Sequence, residues 1–414
     1  MSHNGKKLLV GAAAVLIAAA ACGSSSGGGT TSGSTSGGQK TYTIGVLTDS
    51  TGPASSGNKT SVEGVKAGVV LAARQGVKIK YVVGDTATNP ATALSAAQKL
   101  VTQNHVLAVV AHSAITFAAS SYLTAHGIPV VGAGEDAAEW ITSKNMFSVF
   151  GSLHTTKVAT TQGTFFKGQG VTNLAALGYS ISPISSETAK AAAESARAAG
   201  IKVGYLNAKF PFGSTNVAPI ALAMKNAGVN GFVASIDPNT AFALITALHQ
   251  EGVNIKAALL PTGYGGDLLQ AGPGALSAAQ NVYFSLGYEP VEMQTAATKQ
   301  FVADLKSAGV TGDPTFAEYN GYVSIGLLLD GLKGAGANPS HSSLIAGLSK
   351  VHSFNALGLF GTHTLDVNDR DNLVVGADNC LWISKLVGKT FIPVAGSIPV
   401  CGTTIPGKTV SPSS

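Results

Sequence analysis

From residue 41 the chain alternates short apolar runs with amphipathic stretches, and partway along the alternation starts over. Thr43-Ile44-Gly45-Val46-Leu47 predicts a buried strand, 61–74 a helix ended by Gln75-Gly76, and 77–83 a strand. Residues 90–103 predict a helix with Leu94, Ala97 and Val101 on one face, followed by a strand at 106–110, a helix at 116–125 closed by Gly127, and a strand at 128–131. The second round has a helix at 158–169, a strand at 174–177 and an alanine-rich helix at 187–199 stopped by Gly200. Strands at 203–205, 231–235 and 257–260 then interleave with helices at 216–227 and 240–251, which Gly228 and Gly252 end. Two further helices fall at 294–308 and 316–332. A closing β-rich stretch runs from Thr362 through Leu373-Val374-Val375 and Leu381-Trp382-Ile383 to Phe391-Ile392. Apolar strands joined by helical crossovers need a sheet covered on both faces, so the fold class is α/β, two doubly wound parallel-sheet lobes in succession. Such sheets bind ligands beyond the carboxyl ends of their strands, and two facing halves make a cleft.

The N-terminal segment follows a different rule. Lys6 and Lys7 precede an apolar run at 8–21. A run of about 14 residues falls short of the ~20 that span a bilayer, so 1–21 predicts a cleaved export signal. Leu16-Ile17-Ala18-Ala19-Ala20-Ala21-Cys22-Gly23 resembles a lipobox, and lipid is expected on Cys22, anchoring the protein at the outer face of the cell membrane. Ala19 stands where leucine is usual, which leaves secretion without lipid as the alternative. Residues 23–38 are entirely Gly, Ser and Thr, so 22–40 is expected to act as a flexible tether reaching roughly 20–25 Å.

The 393 residues left after the signal (414 less 21) suffice for two domains, and 11% charged with 45% apolar residues describes a globular chain. Net charge is only +5, with no basic block interleaved with aromatics, so nucleic acid is excluded as a partner. Cys380 and Cys401 are expected to pair as a disulfide in an exported protein, two free buried thiols being the alternative. Gly132-Ala133-Gly134-Glu135-Asp136-Ala137 matches a loose dinucleotide fingerprint, the best case for an NAD-dependent oxidoreductase. No Asp or Glu falls between Glu139 and Glu187 to take the ribose, and Glu135 and Asp136 would repel a pyrophosphate. The Walker-like 402–409 has no helix after it, and Gly23-Ser24-Ser25-Ser26-Gly27 lies in the tether rather than on a nucleophile elbow. The nine histidines show no metal-ligand spacing. No cofactor, metal or catalytic residue is expected, and the protein reads as a non-enzyme.

Several stretches, in order, carry a family resemblance: Thr43 through Gly52-Pro53; Asp85 with Asn89-Pro90; 106–113 followed by Gly127-Ile128-Pro129-Val130-Val131; and Glu318-Tyr319-Asn320-Gly321-Tyr322. The sequence resembles the branched-chain-amino-acid-type substrate-binding proteins of ABC importers, which have the type I periplasmic-binding fold. The resemblance implies a first lobe of 41–152 plus 288–355, a second of 153–287 plus 356–402, a hinge of three crossings, and a disordered tail at 403–414. It implies a monomer that captures a small polar solute and delivers it to an ABC permease. A sensing module reporting to a membrane receptor is the rival.

It also implies where the ligand would sit. A helix start offers unpaired N–H donors and a positive dipole end. Ser113, Thr116, Gly134 and Asp136 fall on the first-lobe contact positions. Ser113 and Thr116 also read as plain helix caps, and Asp136-Ala137-Ala138-Glu139 as a capping box. On the second lobe Thr262 stands where the family's amino-acid binders carry a carboxylate, which puts an α-amino acid ligand in doubt. Tyr179, Ser182, Asp237 and Tyr264 complete the second-lobe candidates, and Tyr319 faces the cleft or packs its helix.

Overall fold

The structure is a computed structural model and describes residues 40–270, 273–279 and 281–411. The expected signal, Cys22 and most of the tether lie outside the described residues.

The first half builds one sheet. β1 (Thr41–Thr48) is followed by α1 (Ser55–Asn58) and α2 (Ser61–Arg74), then β2 (Lys78–Asp85), α3 (Pro90–Thr102), β3 (Ala108–His112), α4 (Phe117–Ala125), β4 (Val130–Gly132), α5 (Glu139–Thr142) and β5 (Met146–Ser148). All five strands pair in parallel in the order β2-β1-β3-β4-β5. β3, Ala-Val-Val-Ala-His, is buried along its whole length, as a strand covered on both faces must be. α3 starts where the sequence dictates: Asn89 Oδ1 accepts from the N–H groups of Ala91 and Thr92, and Pro90 opens the helix.

The chain then crosses to a second sheet. β6 (Lys157–Ala159) and α6 (Thr161–Gly168) lead into β7 (Asn173–Tyr179), α7 (Pro183–Ala198), β8 (Lys202–Phe210), α8 (Ala218–Asn226), β9 (Gly231–Ser235), α9 (Pro238–Gln250), β10 (Ala257–Leu260), α10 (Gly266–Gln270), α11 (Pro273–Ala278) and β11 (Val282–Leu286). The helix expected from 158 therefore begins as a strand. A second crossing returns the chain to the first lobe as α12 (Ala296–Ser307), α13 (Phe316–Ala335) and α14 (His341–Leu348). A third carries it back to β12 (Cys380–Val387), β13 (Thr390–Pro393), β14 (Val400–Cys401) and β15 (Thr404–Thr409). The second sheet runs β13-β12-β11-β10-β9-β7-β8, parallel from β8 to β11 and antiparallel at β12 and β13, with β14 beside β12. Two α/β lobes joined by three crossings make up the type I periplasmic-binding fold.

α13 lies against α2 at backbone distance. A Cβ on Gly64 would stand 2.1 Å from the carbonyl oxygen of Glu318, and one on Gly321 would stand 2.2 Å from that of Ser61. Glycine at both positions lets the helices meet, and Thr315 with Glu318 starts α13 as a full capping box. Cys380 and Cys401 face each other across the β12–β14 pair and form the disulfide, with Cα atoms 4.0 Å apart. Closing that loop contributes about 3 kcal/mol in the chain-entropy model.

Three expectations need correcting. Within the expected tail, residues 404–409 are not structureless, because β15 pairs antiparallel with β6. The return to the second lobe does not come at 356, because the turn at Ala356–Gly358 packs on α12 and α13 of the first lobe. Leu373-Val374-Val375 is loop rather than strand, although β-branched neighbours favour extension. The third crossing is held to the first lobe instead by Arg370, which donates to the carbonyls of Trp140 and Met146.

Candidate functional site

A cleft of about 270 Å³ lies between the lobes, at the carboxyl ends of their strands. The first-lobe wall comes from residues just past β3 and β4 (Ala114, Gly134, Glu135), from Gly57 and Asn58, and from Phe150, Leu153 and Phe316. The second-lobe wall comes from the ends of β7, β9 and β10 and the starts of α7 and α9: Tyr179, Ser182, Ile184, Ser185, Ser235, Asp237, Pro238 and Thr262. Phe212, Val374 and Val375 close the remaining sides. Most of the exposed lining is apolar, with hydroxyls and two carboxylates set into it.

The lobes touch across the rim. A Cβ built on Gly57 would lie 3.4 Å from Pro238 and 3.8 Å from Thr262, and one on Gly213 would lie 3.6 Å from Pro53. Hydrogen bonds join the lobes beside the cleft. The N–H of Ile184 (3.3 Å) and the hydroxyl of Ser182 (3.2 Å) donate to the carbonyl of Asp136, and the N–H of Gly266 donates to that of Asp313 (3.1 Å).

The sequence candidates divide. Gly134, Tyr179, Asp237, Thr262 and Ser182 line the cleft, while Ser113, Thr116, Asp136 and Tyr264 do not. Ser113 donates to Asp49 Oδ1 at 2.6 Å, and Thr116 donates to the carbonyl of Ser113 at 3.1 Å, so both hydroxyls are engaged inside the loop. Asp136 is fully buried; its carboxylate accepts from the N–H of Phe117 (2.7 Å) and from Trp140 Nε1 (2.9 Å). The capping-box expectation fails here, because α5 starts after Ala138 with no side-chain cap. Burial pushes the Asp136 carboxyl well above its usual range, and the charge of Glu139 adds to this. Tyr264 is buried and donates to Glu292 (2.7 Å), and Tyr319 packs in its helix, donating to the carbonyl of Glu289.

On the second lobe two of the separate candidates, Tyr179 and Asp237, come together. The Tyr179 hydroxyl donates to Asp237 Oδ2, and the N–H of Asp237 donates back to that hydroxyl at 2.9 Å. Asp237 Oδ1 accepts from the N–H of Thr240 at 3.0 Å and so caps α9. Burial raises the Tyr179 phenol far above its ordinary value, with the neighbouring Asp237 charge adding, and keeps it a donor. Gly134 has a steric reason: a Cβ there would come within 2.9 Å of both Ser148 Oγ and Trp140.

Three features went unread in the sequence. Asp49, wholly buried, gathers the hydroxyls of Ser113 and Thr86, Asn58 Nδ2 (2.6 Å) and the N–H of Ala114 (2.9 Å). Its signal was a lone acid at the end of an apolar strand, where burial demands partners. Glu135, next to the candidate Asp136, is the residue that reaches the cleft, its side chain 34% exposed. Phe150 and Phe316 come from distant segments and stack at 5.9 Å.

Neither nucleotide-like motif sits in the local structure its chemistry needs. The dinucleotide-like loop leads into α5, a single turn rather than a phosphate-binding helix, and the Walker-like segment is strand β15. Among the described residues His363, Cys380 and Cys401 bring ligand atoms within 4.8 Å, but the disulfide leaves no thiolate there. Among them too, no helix is long and apolar enough to cross a membrane.

Two facing α/β lobes, three crossings and a solute-sized cleft define a two-lobed binding protein. Residues 41–389 match the family model described as periplasmic binding protein, and the chain belongs to that family. Solved structures agree on the fold. The branched-chain amino acid transporter substrate-binding protein LivJ of Streptococcus pneumoniae, in complex with isoleucine, is 18% identical with a TM-score of 0.70, covering 88% of this chain and 99% of its own. The leucine-binding protein LivK of Thermotoga maritima is 16% identical with a TM-score of 0.71, covering 86% and 98%. An ABC transporter solute-binding protein of R. palustris, in complex with 4-hydroxybenzoate, is 18% identical with a TM-score of 0.70, covering 86% and 96%. No curated protein sequence matches the chain significantly.

Proposed function

We propose that the protein is the extracytoplasmic solute-binding component of an ABC importer, held at the membrane by lipid on Cys22. It captures a small solute in the cleft and does no chemistry on it. The observation that carries this reading is the cleft itself: it is shared by both lobes, it lies where strand ends and helix starts converge, and contacts bridge its rim. A ligand touching both walls favours the closed arrangement, and the closed pair of lobes is the surface a permease reads. The ligand-binding residues proposed are Gly134, Glu135, Tyr179, Asp237 and Thr262, with the aromatic walls.

Thermal-shift screening of the purified mature protein against a broad panel of amino acids, amides, amines and aromatic acids tests the reading. A true ligand at about 100 times its Kd stabilises by about 2.7 kcal/mol. Turnover of a bound compound, or a panel that moves nothing, would refute it. Metabolic labelling with a fatty acid, lost in Cys22→Ser, tests the anchor separately.

A further inference from the structure

The charge in the cleft is one-sided. Glu135 on the first-lobe wall and Asp237 on the second line it, and among the described residues no lysine or arginine does. At the starts of α4, α7 and α9 the positive helix ends are partly taken up, because the protein's own acceptors hold several of their donors. Asp49 and Asp136 take the N–H groups of Ala114 and Phe117 at the start of α4. Asp237 takes that of Thr240 at α9. At α7 the Ser182 hydroxyl and the Asp136 carbonyl take those of Ser185 and Ile184. A carboxylate ligand would meet two like charges where those donors are occupied.

His112 is not hydrogen-bonded to Glu135. Its Nε2 stands 3.6 Å from Glu135 Oε2, beyond hydrogen-bond distance, and pairs instead with Asn320 Nδ2 at 3.0 Å. Asn320 is held in that orientation by the Tyr288 hydroxyl, which donates to its Oδ1 at 3.0 Å. The walls suit a cation with an apolar body. The Phe150–Phe316 pair lies on one side and Tyr179–Phe212, 4.8 Å apart, on the other. Aromatic faces attract ammonium groups and bury hydrocarbon equally well.

We infer that the cleft selects small organic cations, amines or quaternary ammonium compounds with an apolar body, whose charge sits between Glu135 and Asp237. The inference rests on the solute-binding reading above and narrows it to one charge class.

Titration calorimetry on the purified mature protein at pH 7 tests it with matched probes: phenethylamine, 2-phenylethanol and 3-phenylpropionate; isopentylamine, isopentanol and 4-methylpentanoate; and choline. At least one amine should bind about tenfold more tightly than its alcohol, or choline more tightly than every alcohol tested, with the carboxylate weakest and added salt weakening the cation alone. Glu135→Gln and Asp237→Asn should each lower the cation's affinity about tenfold and leave the alcohol's nearly unchanged. Asparagine keeps the α9 cap, and the Glu135 side chain is about a third exposed, so both variants should fold, as melting curves will show. An alcohol or carboxylate that binds as tightly as the amine overturns the charge inference and leaves solute binding standing. So does a broad panel in which only neutral or anionic compounds bind. A wild type that binds nothing in either panel overturns both.

Discussion

The two walls of the cleft each set an aspartate against a helix start, and they use it in opposite ways. On the first lobe Asp49 and Asp136 are turned wholly inward, their oxygens engaged by hydroxyls, N–H groups and the Trp140 indole. On the second lobe Asp237 caps α9 yet stays on the cleft surface beside Tyr179. Burial makes the difference. An acid with no access to solvent must be satisfied by the fold, and then it has little left to offer a ligand. An acid with one side open can cap a helix and meet a solute at once. The same sequence signature, an acid before a helix, therefore means scaffold on one wall and recognition on the other.

Removing the carboxylate from each wall is the most direct way to break this comparison. Asp49→Ala strands the Ser113 and Thr86 hydroxyls and the N–H of Ala114, and is expected to cost about 3–5 kcal/mol in denaturant unfolding. Asp237→Ala loses mainly a cap and should cost about 1 kcal/mol. Equal losses would mean that both walls are scaffold.

The same contrast marks how far the sequence could be read. The α/β alternation was legible because strands covered on both faces must be apolar and crossover helices must be one-sided. The expected start of α9, at 240, is two residues late, although Asp237-Pro238 carries the local signals of a cap and a first-turn proline. The choice between Glu135 and Asp136 was not legible. They are adjacent, and the path of the loop after β4 decides which one faces the cleft and which meets Trp140. Phe150 and Phe316 were invisible because what unites them is tertiary. Val374 and Val375 misled because they carry strand propensity but have no strand partner in the sheet.

A smaller effect sharpens the comparison where the lobes meet. Asp267 at the start of α10 is buried, and one of its oxygens has no hydrogen-bond partner. Burial pushes its pKa up to about 8; the charge of Glu318 on the other lobe adds to the rise, and Lys59 opposes it. Burial likewise lifts Glu318 to about 7, against the hydrogen bond from Thr315. In the unfolded chain both groups titrate near 4. The folded protein therefore holds protons that the unfolded chain has released, so stability is fully present below about pH 4 and is lost as pH rises to about 8. The slope is at most about 1.4 kcal/mol per pH unit for each group. Melting temperatures taken from pH 5 to 9 should fall, and Asp267→Asn should flatten the fall without touching the first wall. An unchanged profile in that variant would remove Asp267 from this seam.

The smallest effect is the most discriminating. Asp237→Asn keeps an oxygen for the N–H of Thr240, and asparagine ranks with aspartate as an N-cap, so α9 keeps its start. What is lost is a charge favourable to the helix dipole and one acceptor for Tyr179, worth about 1 kcal/mol or less together at a partly exposed position. Unfolding of the free protein should thus barely change. If Asp237→Asn instead destabilised the free protein as strongly as Asp49→Ala, the acid would be bound into the scaffold as tightly as its first-lobe counterparts. The two walls would then be alike, and Asp237 could not serve as the face that a solute meets.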